Sequence, residues 1–409
     1  MLDRIWTGFF LVAFLAAVFQ SLVLGQTGVW ADMVAAAFDL SKTGFEIALG
    51  LTGVMCLWLG IMKIGERGGA VDLLARAFGP LLRRLFPSIP ASHPATGSIV
   101  MNMAANMLGL DNAATPLGLK AMKELQELNP KADTATNDQI LFLVLNTSAV
   151  TVIPVAIFTY RATLGAADPT DVFLPLLIAT SCSTLAGLVV TAFVQRLRLR
   201  DPVILAYVAG LVALVGGLVA YFSQLDRDAM QRQSSLLSNF TIFTVIILFM
   251  VLAVRRRVSL YESFIEGAKE GFGVAVGIIP YLVAMLVAIG VLRASGTLDI
   301  LLDAVRWAVT GLGLDARWVD GLPTALVRPL SGSGARGMMI ETMNTHGPDS
   351  FAGRLVSVIQ GSTETTFYVL AVYFGSVGIR KTRHAVGCGL AADLAGILGA
   401  IAATYFFFG

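Results

Sequence analysis

Long runs of apolar residues, separated by short polar stretches, dominate this sequence. A helix needs about 20 mainly apolar residues to cross the hydrocarbon core of a bilayer. Nine runs have roughly that length and few charges, at residues 5–25, 44–64, 139–160, 171–195, 202–222, 236–254, 272–292, 351–377 and 384–408. The pattern therefore predicts an all-α integral membrane protein with about nine full spans.

Two other kinds of helical segment lie between these runs. Residues 69–86 and 296–309 have apolar side chains at helical spacing on one face and charges on the other, which is typical of interfacial helices. Residues 97–125 and 321–343 are apolar but interrupted by glycine and polar residues. They predict broken or re-entrant helices, whose backbone must be covered by protein or water.

Two pairs of segments resemble each other in the same order along the chain. Residues 61–78 align with 288–305, and residues 146–160 align with 360–374. Low but ordered similarity of this kind indicates an internal duplication.

The duplication predicts a first repeat at 1–200, a connecting transmembrane helix and loop at 201–234, and a second repeat at 235–409. If the two broken segments re-enter the membrane, the densest Lys and Arg clusters fall on one side, as the positive-inside rule expects. The repeats are then inverted, which is typical of secondary transporters. If the broken segments cross the membrane, the repeats are parallel, and the sequence leaves this open.

Composition narrows the function classes. Hydrophobic residues make up 56% of the chain and charged residues 14%, with a mean hydropathy of +0.77. These values exclude a disordered chain, a secreted disulfide scaffold and a nucleic-acid-binding protein, and they argue against a soluble enzyme. The sequence contains no hydrolase or nucleotide-binding motif and no metal-ligand spacing, so we expect no catalytic residue, no metal and no cofactor other than a coupling Na⁺ or H⁺.

Polar residues inside the apolar segments are the candidate solute site. Lipid offers them no hydrogen-bond partner, so they must face protein, water or a ligand. Broken helices also direct half-charged ends into a site, and small residues beside arginines at a helix start predict an anion-binding nest. The predicted solute-binding residues are Asn102, Asn106, Asp111, Asn112, Thr115, Asn146, Thr147, Ser148, Thr151, Arg328, Ser331, Ser333, Arg336, Gln360, Ser362 and Thr363.

Each group of predicted site residues also has a purely structural explanation. Asparagines can cap an ordinary loop, arginines can reach lipid head groups, and hydroxyls can hold helices together. None of these explains Glu364, since an ionisable side chain at membrane depth costs at least ~2.5 kcal/mol and usually marks an ion or substrate path. We expect Glu364, Thr365 and Asp393 to bind the coupling ion, although Asp393 is equally suited to a structural bond.

Four long motifs resemble one family of membrane proteins. Residues 102–126 (NMAANMLGLDNAATPLGLKAMKELQ) resemble spore maturation protein A, and residues 328–337 (RPLSGSGARG), 345–355 (THGPDSFAGRL) and 359–385 (IQGSTETTFYVLAVYFGSVGIRKTRHA) resemble spore maturation protein B. The chain thus resembles a fusion of the two. Both belong to the nucleoside-recognition, or Gate, group, which is also similar to the cores of concentrative nucleoside transporters and of a ferrous iron permease. The resemblance implies a membrane role and two related core repeats.

The expected function is secondary transport of a small polar or anionic solute, nucleoside- or carboxylate-like, coupled to H⁺ or Na⁺. The alternatives are a non-transporting factor that acts in cell-envelope or spore-type peptidoglycan maturation through a partner, and a channel or metal-ion permease. We expect the bacterial cytoplasmic (inner) membrane as location, with the N-terminus in the cytoplasm and the C-terminus outside. The expected partners are the solute and the lipid bilayer, no nucleic acid, and either a second copy of the chain or an envelope protein.

Overall fold

Helices joined by short turns make up the protein. The computed structural model describes residues 2–90, 92–109, 111–197 and 199–409, with the backbone alone at 2, 3, 5 and 111–113. The described helices are α1 (Leu2–Val23), α2 (Val29–Gly68), α3 (Ala70–Leu85), α4 (Ala95–Met107), α5 (Asp111–Glu127), α6 (Asn137–Thr147), α7 (Val155–Thr163), α8 (Phe173–Gln195), α9 (Pro202–Phe222), α10 (Arg227–Arg255), α11 (Leu260–Ala294), α12 (Thr297–Gly311), α13 (Leu322–Val327), α14 (Gly332–His346), α15 (Phe351–Ser362), α16 (Thr366–Ser376) and α17 (Ala385–Phe408). The predicted all-α class is confirmed.

Seven helices in the described part are long and apolar enough to cross a bilayer, namely α1, α2, α8, α9, α10, α11 and α17. They coincide with seven of the nine predicted runs, and they make the chain a multi-pass membrane protein. The other two runs, 139–160 and 351–377, are each interrupted at their polar residues. The helices α6 and α16, with 11 residues each, measure about 16 Å, or roughly half of a hydrocarbon core.

The two amphipathic segments form the helices α3 and α12, as predicted. Each follows a long helix and is preceded by a glycine with a left-handed backbone, Gly69 at φ 86° before α3 and Gly296 at φ 69° before α12. Glycine adopts this conformation at little cost, so the chain can turn sharply between two helices without a loop.

The chain divides into two units that interleave along the sequence. Unit 1 comprises Met1–Trp58, Ala156–Pro169 and Ala268–Gln360, and unit 2 comprises Leu59–Val155, Thr170–Gly267 and Gly361–Gly409. Apolar residues of α11, α12 and α14 form a core in unit 1, and those of α3 to α6, α8 and α16 form one in unit 2. The repeat boundaries and their inversion stay predictions, because a spatial unit is not a sequence repeat.

The short helices α6 and α16 of unit 2, which we call the half-helix pair, run antiparallel and are joined at both ends. At one end the backbone N–H groups of Arg380 and Lys381 donate to the Asp133 carbonyl, each at 2.9 Å. At the other end the Glu364 N–H donates to the Thr147 carbonyl at 2.7 Å. The pair therefore places the C-terminus of α6 beside the N-terminus of α16.

Candidate functional site

Two interruptions of apolar helices meet in unit 2. The first break, residues 148–154, follows α6, and the second break, residues 363–365, precedes α16. Each break removes backbone hydrogen bonds within an apolar run, so the freed groups need other partners. The hydrogen bond from Glu364 to Thr147 satisfies one such carbonyl, and the Thr184 hydroxyl donates to the Ser148 carbonyl.

Three asparagines of unit 2, Asn102, Asn106 and Asn146, form a group that we call the amide cluster. Asn102 and Asn106 lie in α4, and Asn146 lies in α6 of the half-helix pair. The Asn146 amide donates to the Phe142 carbonyl at 2.9 Å and accepts from Asn106 at 3.3 Å and from the Tyr373 hydroxyl at 3.4 Å. Asn102 is fully buried and donates to a backbone carbonyl of α5 at 2.8 Å. The cluster is thus held together largely by protein groups.

Tyr373 was not a predicted site residue, although it joins this cluster. Its ring stacks on Phe142 at 5.7 Å between centroids with an interplanar angle of 8°. In the sequence it sits in an otherwise apolar run, where a tyrosine is a weak signal. The signal that could have found it is the hydroxyl, which needs a polar partner when buried.

Hydroxyl side chains at the end of α6 and at the start of the first break donate back to α6. Thr147 and Ser148 are fully buried, and both donate to the Val144 carbonyl, at 2.9 and 2.8 Å. Thr151 lies within the break and is half-buried. In this structure the first two hydroxyls have a structural role, and Thr151 is more accessible.

The second break combines buried hydroxyl residues with an exposed carboxylate. Ser362, Thr363 and Thr365 are buried, whereas Glu364 between them is exposed. The predicted coupling-ion residue therefore lies on the surface of the described chain, at the point where two helices end.

Asp393, the other predicted carboxylate, is buried in α17 with 1% exposure. Three residues further on, Gly396 approaches the second break so closely that a Cβ there would lie 2.6 Å from the Thr363 methyl group. The Ser183 hydroxyl of α8 donates to the Ala392 carbonyl at 3.0 Å. Next to Asp393, α17 thus packs closely against both α8 and the second break.

The arginine and serine residues of the predicted nest lie in unit 1. Arg328 is buried in the turn between α13 and α14, and Arg336 is half-buried in α14. Ser331 caps α14, since its hydroxyl accepts from the N–H of the third helical residue at 3.0 Å and lies 3.3 Å from the Ser333 hydroxyl. The Gln360 amide reaches the carbonyl of the first helical residue at 3.5 Å. One N–H of the predicted nest is therefore already bonded within the chain.

The segment 97–125, predicted as a broken or re-entrant helix, is divided into α4 and α5, and Gly109 between them has φ 70°. The predictions for the side chains of Asp111 and Asn112 lie outside the described residues. Thr115 is half-buried in α5.

Two charged pairs of unit 1 were missed from the sequence. Arg293 pairs with the buried Glu341 at 2.8 Å. Arg161 is fully buried and donates to the Pro348 carbonyl at 2.7 Å and to the Asp349 carboxylate at 3.2 Å. Nothing local marks these pairs, because Glu341 is 48 residues from Arg293 and Asp349 is 188 residues from Arg161.

No group of three or more His, Cys, Asp or Glu side chains that could hold a metal ion occurs in the described part of the chain. The polar atoms at the two breaks are amides, hydroxyls, backbone groups and one exposed carboxylate. Such a set suits hydrogen bonding to a polar solute and binding of a hard cation or a proton.

Comparison with known proteins gives consistent results. A family model described as Gate, nucleoside recognition, matches residues 48–164 and 275–380, together more than half of the chain. Spore maturation protein B of Bacillus subtilis (strain 168) is 52% identical over 154 residues, which is 38% of this chain and 85% of the relative. Spore maturation protein A of the same organism is 39% identical over 166 residues, 41% of this chain and 85% of the relative. No solved structure matches the chain.

Proposed function

This chain belongs to the Gate, nucleoside recognition, family, and from that premise we propose that it is a secondary transporter of a small polar or anionic solute. The observation that carries the proposal is the meeting of the two breaks in unit 2, where polar groups interrupt apolar helices. Interrupted helices of this kind form the binding sites of secondary transporters.

The solute-binding groups in this proposal are the amide cluster and the first break. Asn106 and Thr151 are half-buried, so they are more accessible than the fully buried Asn102. An amide offers both a donor and an acceptor, which suits a nucleoside base or a carboxylate.

Glu364 is the proposed site of the coupling ion. Its carboxylate is exposed, and it lies between the buried residues Thr363 and Thr365. Carboxylate and hydroxyl oxygens suit Na⁺, and a carboxylate alone suits H⁺. Asp393 is the second carboxylate of the proposed ion path.

In this proposal the protein catalyses no covalent reaction and needs no cofactor beyond the coupling ion. It acts in the bacterial cytoplasmic membrane, with the N-terminus inside and the C-terminus outside. Transport would proceed by rocking of one repeat against the other, as in other carriers with inverted repeats.

Ligand-induced stabilisation of the purified protein tests the proposal. The panel comprises nucleosides, nucleobases, mono- and dicarboxylates, amino acids, polyamines and divalent metals, each with and without Na⁺ and at two pH values. A solute at 100 times its dissociation constant adds ~2.7 kcal/mol to the stability. We expect one solute class to stabilise the protein in an ion-dependent manner, and Glu364→Gln to remove that ion dependence.

Glu262→Gln is the matched control, because Glu262 is also an exposed carboxylate but lies at the start of α11. It should leave the ion dependence unchanged. Full ion dependence in Glu364→Gln would show that the coupling assignment is wrong. If no member of the panel stabilises the protein, the transporter proposal fails.

The names of the two relatives favour a second candidate, a factor in envelope maturation that acts through a partner. The exposed apolar side chains of α12, among them Trp307 at 79% exposure, offer a docking face. A photo-crosslinking residue at Trp307 should then capture one defined protein in cells, and the same residue at Phe193 of α8, which is also exposed, should not.

A further inference from the structure

Helix α9 contacts the rest of unit 2 mainly at its two ends. Ile204 and Phe222, near its first and last residues, are the buried positions among its described residues. Near the first end the Tyr207 hydroxyl donates to the Ala77 carbonyl of α3. At the last end the Phe222 ring packs edge-on against Phe407 of α17, with 5.3 Å between centroids. The middle of α9 is thus less closely packed than its ends.

A cavity of about 540 Å³ lies along this middle section. It is bounded by α3, α4, α6, the first break, α8, α9 and α10, and its walls include Leu82, Leu185, Leu211 and Leu218. The α9 residues that line it extend from Tyr207 to Leu218, or about 16 Å of helix. That length is close to the hydrocarbon depth of one bilayer leaflet, roughly half of 30 Å.

The lining of the cavity offers too few polar partners for ordered water. A buried water needs two to four polar partners. The lining has three polar side chains, Tyr207, Thr184 and Thr241, and the first two already donate to backbone carbonyls. The cavity opens to the surroundings of the unit, because Leu214 and Leu237 of its lining are 52% and 36% exposed. A hydrocarbon chain fills it without leaving a polar group unpaired.

The end of the cavity near α3 carries positive charge. Leu82 and Leu85 line the cavity, and the residues between them, Arg83 and Arg84, are exposed. Arg84 pairs with Asp201, the residue that caps α9, at 3.5 Å, and the exposed Arg200 precedes that aspartate. Three arginines against one carboxylate leave a positive excess, which attracts an anionic head group.

We propose that this cavity binds one phospholipid with an anionic head group. One of its two acyl chains lies along α9 between Val208 and Leu218, and its phosphate lies at Arg83 and Arg200. Because several helices line the cavity, this lipid contacts more of the unit than the lipids that coat the outer surface. The cavity borders the first break through Ala149, Val150 and Val152, but the proposed lipid is bound whether or not the protein transports a solute.

Lipid binding by the full-length protein tests the site. The purified protein is stripped of lipid in detergent and titrated with phosphatidylglycerol, phosphatidylethanolamine or glycerol 3-phosphate, and bound lipid is counted by native mass spectrometry. We expect about one tightly retained phosphatidylglycerol per chain, about tenfold weaker binding of phosphatidylethanolamine and no binding of glycerol 3-phosphate. Equal retention of both phospholipids would overturn the head-group assignment.

Leu211→Trp fills the cavity and should weaken phosphatidylglycerol binding about tenfold or more. Val212→Trp is its matched control, because the neighbouring Val212 is 50% exposed and does not line the cavity. If Leu211→Trp does not fold, Val208→Phe places a smaller ring in the same cavity. Unchanged binding in the cavity-filling variant, or an equal loss in the control, would overturn the site.

Arg83→Gln tests the contact with the lipid head group independently of the contact with the acyl chain. It should reduce the preference for phosphatidylglycerol while leaving phosphatidylethanolamine binding unchanged. Arg227→Gln, an exposed arginine at the start of α10, should change neither. A preference that is the same in Arg83→Gln as in the unchanged protein would show that the head group lies elsewhere.

Discussion

The two breaks of unit 2 lie side by side, and each leaves backbone groups of an apolar helix without their helical partners. The polar residues around the two breaks are placed differently. At the first break, polar side chains are buried and bond to the protein itself: Thr147 and Ser148 donate to one carbonyl of α6, and Asn146 is bonded on three sides. At the second break, Glu364 uses its backbone N–H to hold the first break while its carboxylate faces outward.

This difference separates scaffold from chemistry. A buried amide with its partners in place stabilises one arrangement, and losing a partner is costly. An exposed carboxylate contributes little to stability. The buried groups at the first break therefore hold the site together, the half-buried Asn106 and Thr151 are the proposed solute contacts, and the second break carries the proposed ion chemistry.

The largest effect on stability is expected from Asn146→Leu. The substitution keeps the number and branching of the side-chain heavy atoms but removes the side-chain partner of Asn106 and Tyr373, and it should cost roughly 2–4 kcal/mol. Reversible unfolding in mixed micelles measures the loss. Tyr373→Phe, which removes only the hydroxyl bond at 3.4 Å, should cost less, about 0.5–1.5 kcal/mol. Equal costs would show that Asn146 is not the centre of the amide cluster.

An intermediate effect is expected from Gly396→Ala beside the second break. The new methyl group would lie 2.6 Å from the Thr363 side chain and 3.1 Å from that of Ser183, so the helices must separate, at about 1–3 kcal/mol. Gly387→Ala on the same helix meets no atom within 4 Å and should be neutral or stabilising by up to ~1 kcal/mol. Thermal unfolding of the two variants gives the comparison, and an equally stable Gly396→Ala would contradict close packing there.

The smallest effect is expected at the outer end of the half-helix pair, outside the apolar helices. Hydrogen bonds from the Thr134 hydroxyl and the Lys381 ammonium group lower the pKa of Asp133 from its usual 3.8. A lowered pKa adds stability above that value and loses it as the pH falls through the folded-state pKa. Asp133→Asn should thus be slightly less stable than the unchanged protein at pH 7, and the difference should shrink as the pH falls below 3.8.

Melting curves between pH 7 and pH 3, at low and high salt, measure this difference. Because the carboxylate is exposed, salt should reduce the effect. A difference that grows as the pH falls would contradict the assigned direction.

Much of the helical structure was predictable from the chain. The seven long helices and the two amphipathic helices follow from the length and period of apolar positions, and the break at Gly109 follows from a glycine next to polar residues. The interruptions of the runs 139–160 and 351–377 fall where polar residues crowd an apolar pattern. These are local properties, so a single sequence carries them.

The partners of the polar groups were not predictable. Asn146 and Tyr373 are 227 residues apart, and nothing local in either segment points to the other. The sequence indicated that Glu364 is an unusual ionisable residue within an apolar run. Only the structure shows that Glu364 is exposed and that its backbone N–H donates to the Thr147 carbonyl. The cavity beside α9 is also absent from any local pattern, because it is the space that several apolar helices leave unfilled.

The sequence by itself determined that this is a helical membrane protein whose apolar helices include interrupted ones. Hydrophobic length and periodicity decide this, because each helix in a bilayer must satisfy its own backbone. The tertiary structure decided which amides and hydroxyls are bonded, which of the two predicted ion-site carboxylates is exposed, and where a cavity lies that suits a lipid chain. Those outcomes depend on contacts between distant segments, and such contacts exist only once the helices have packed.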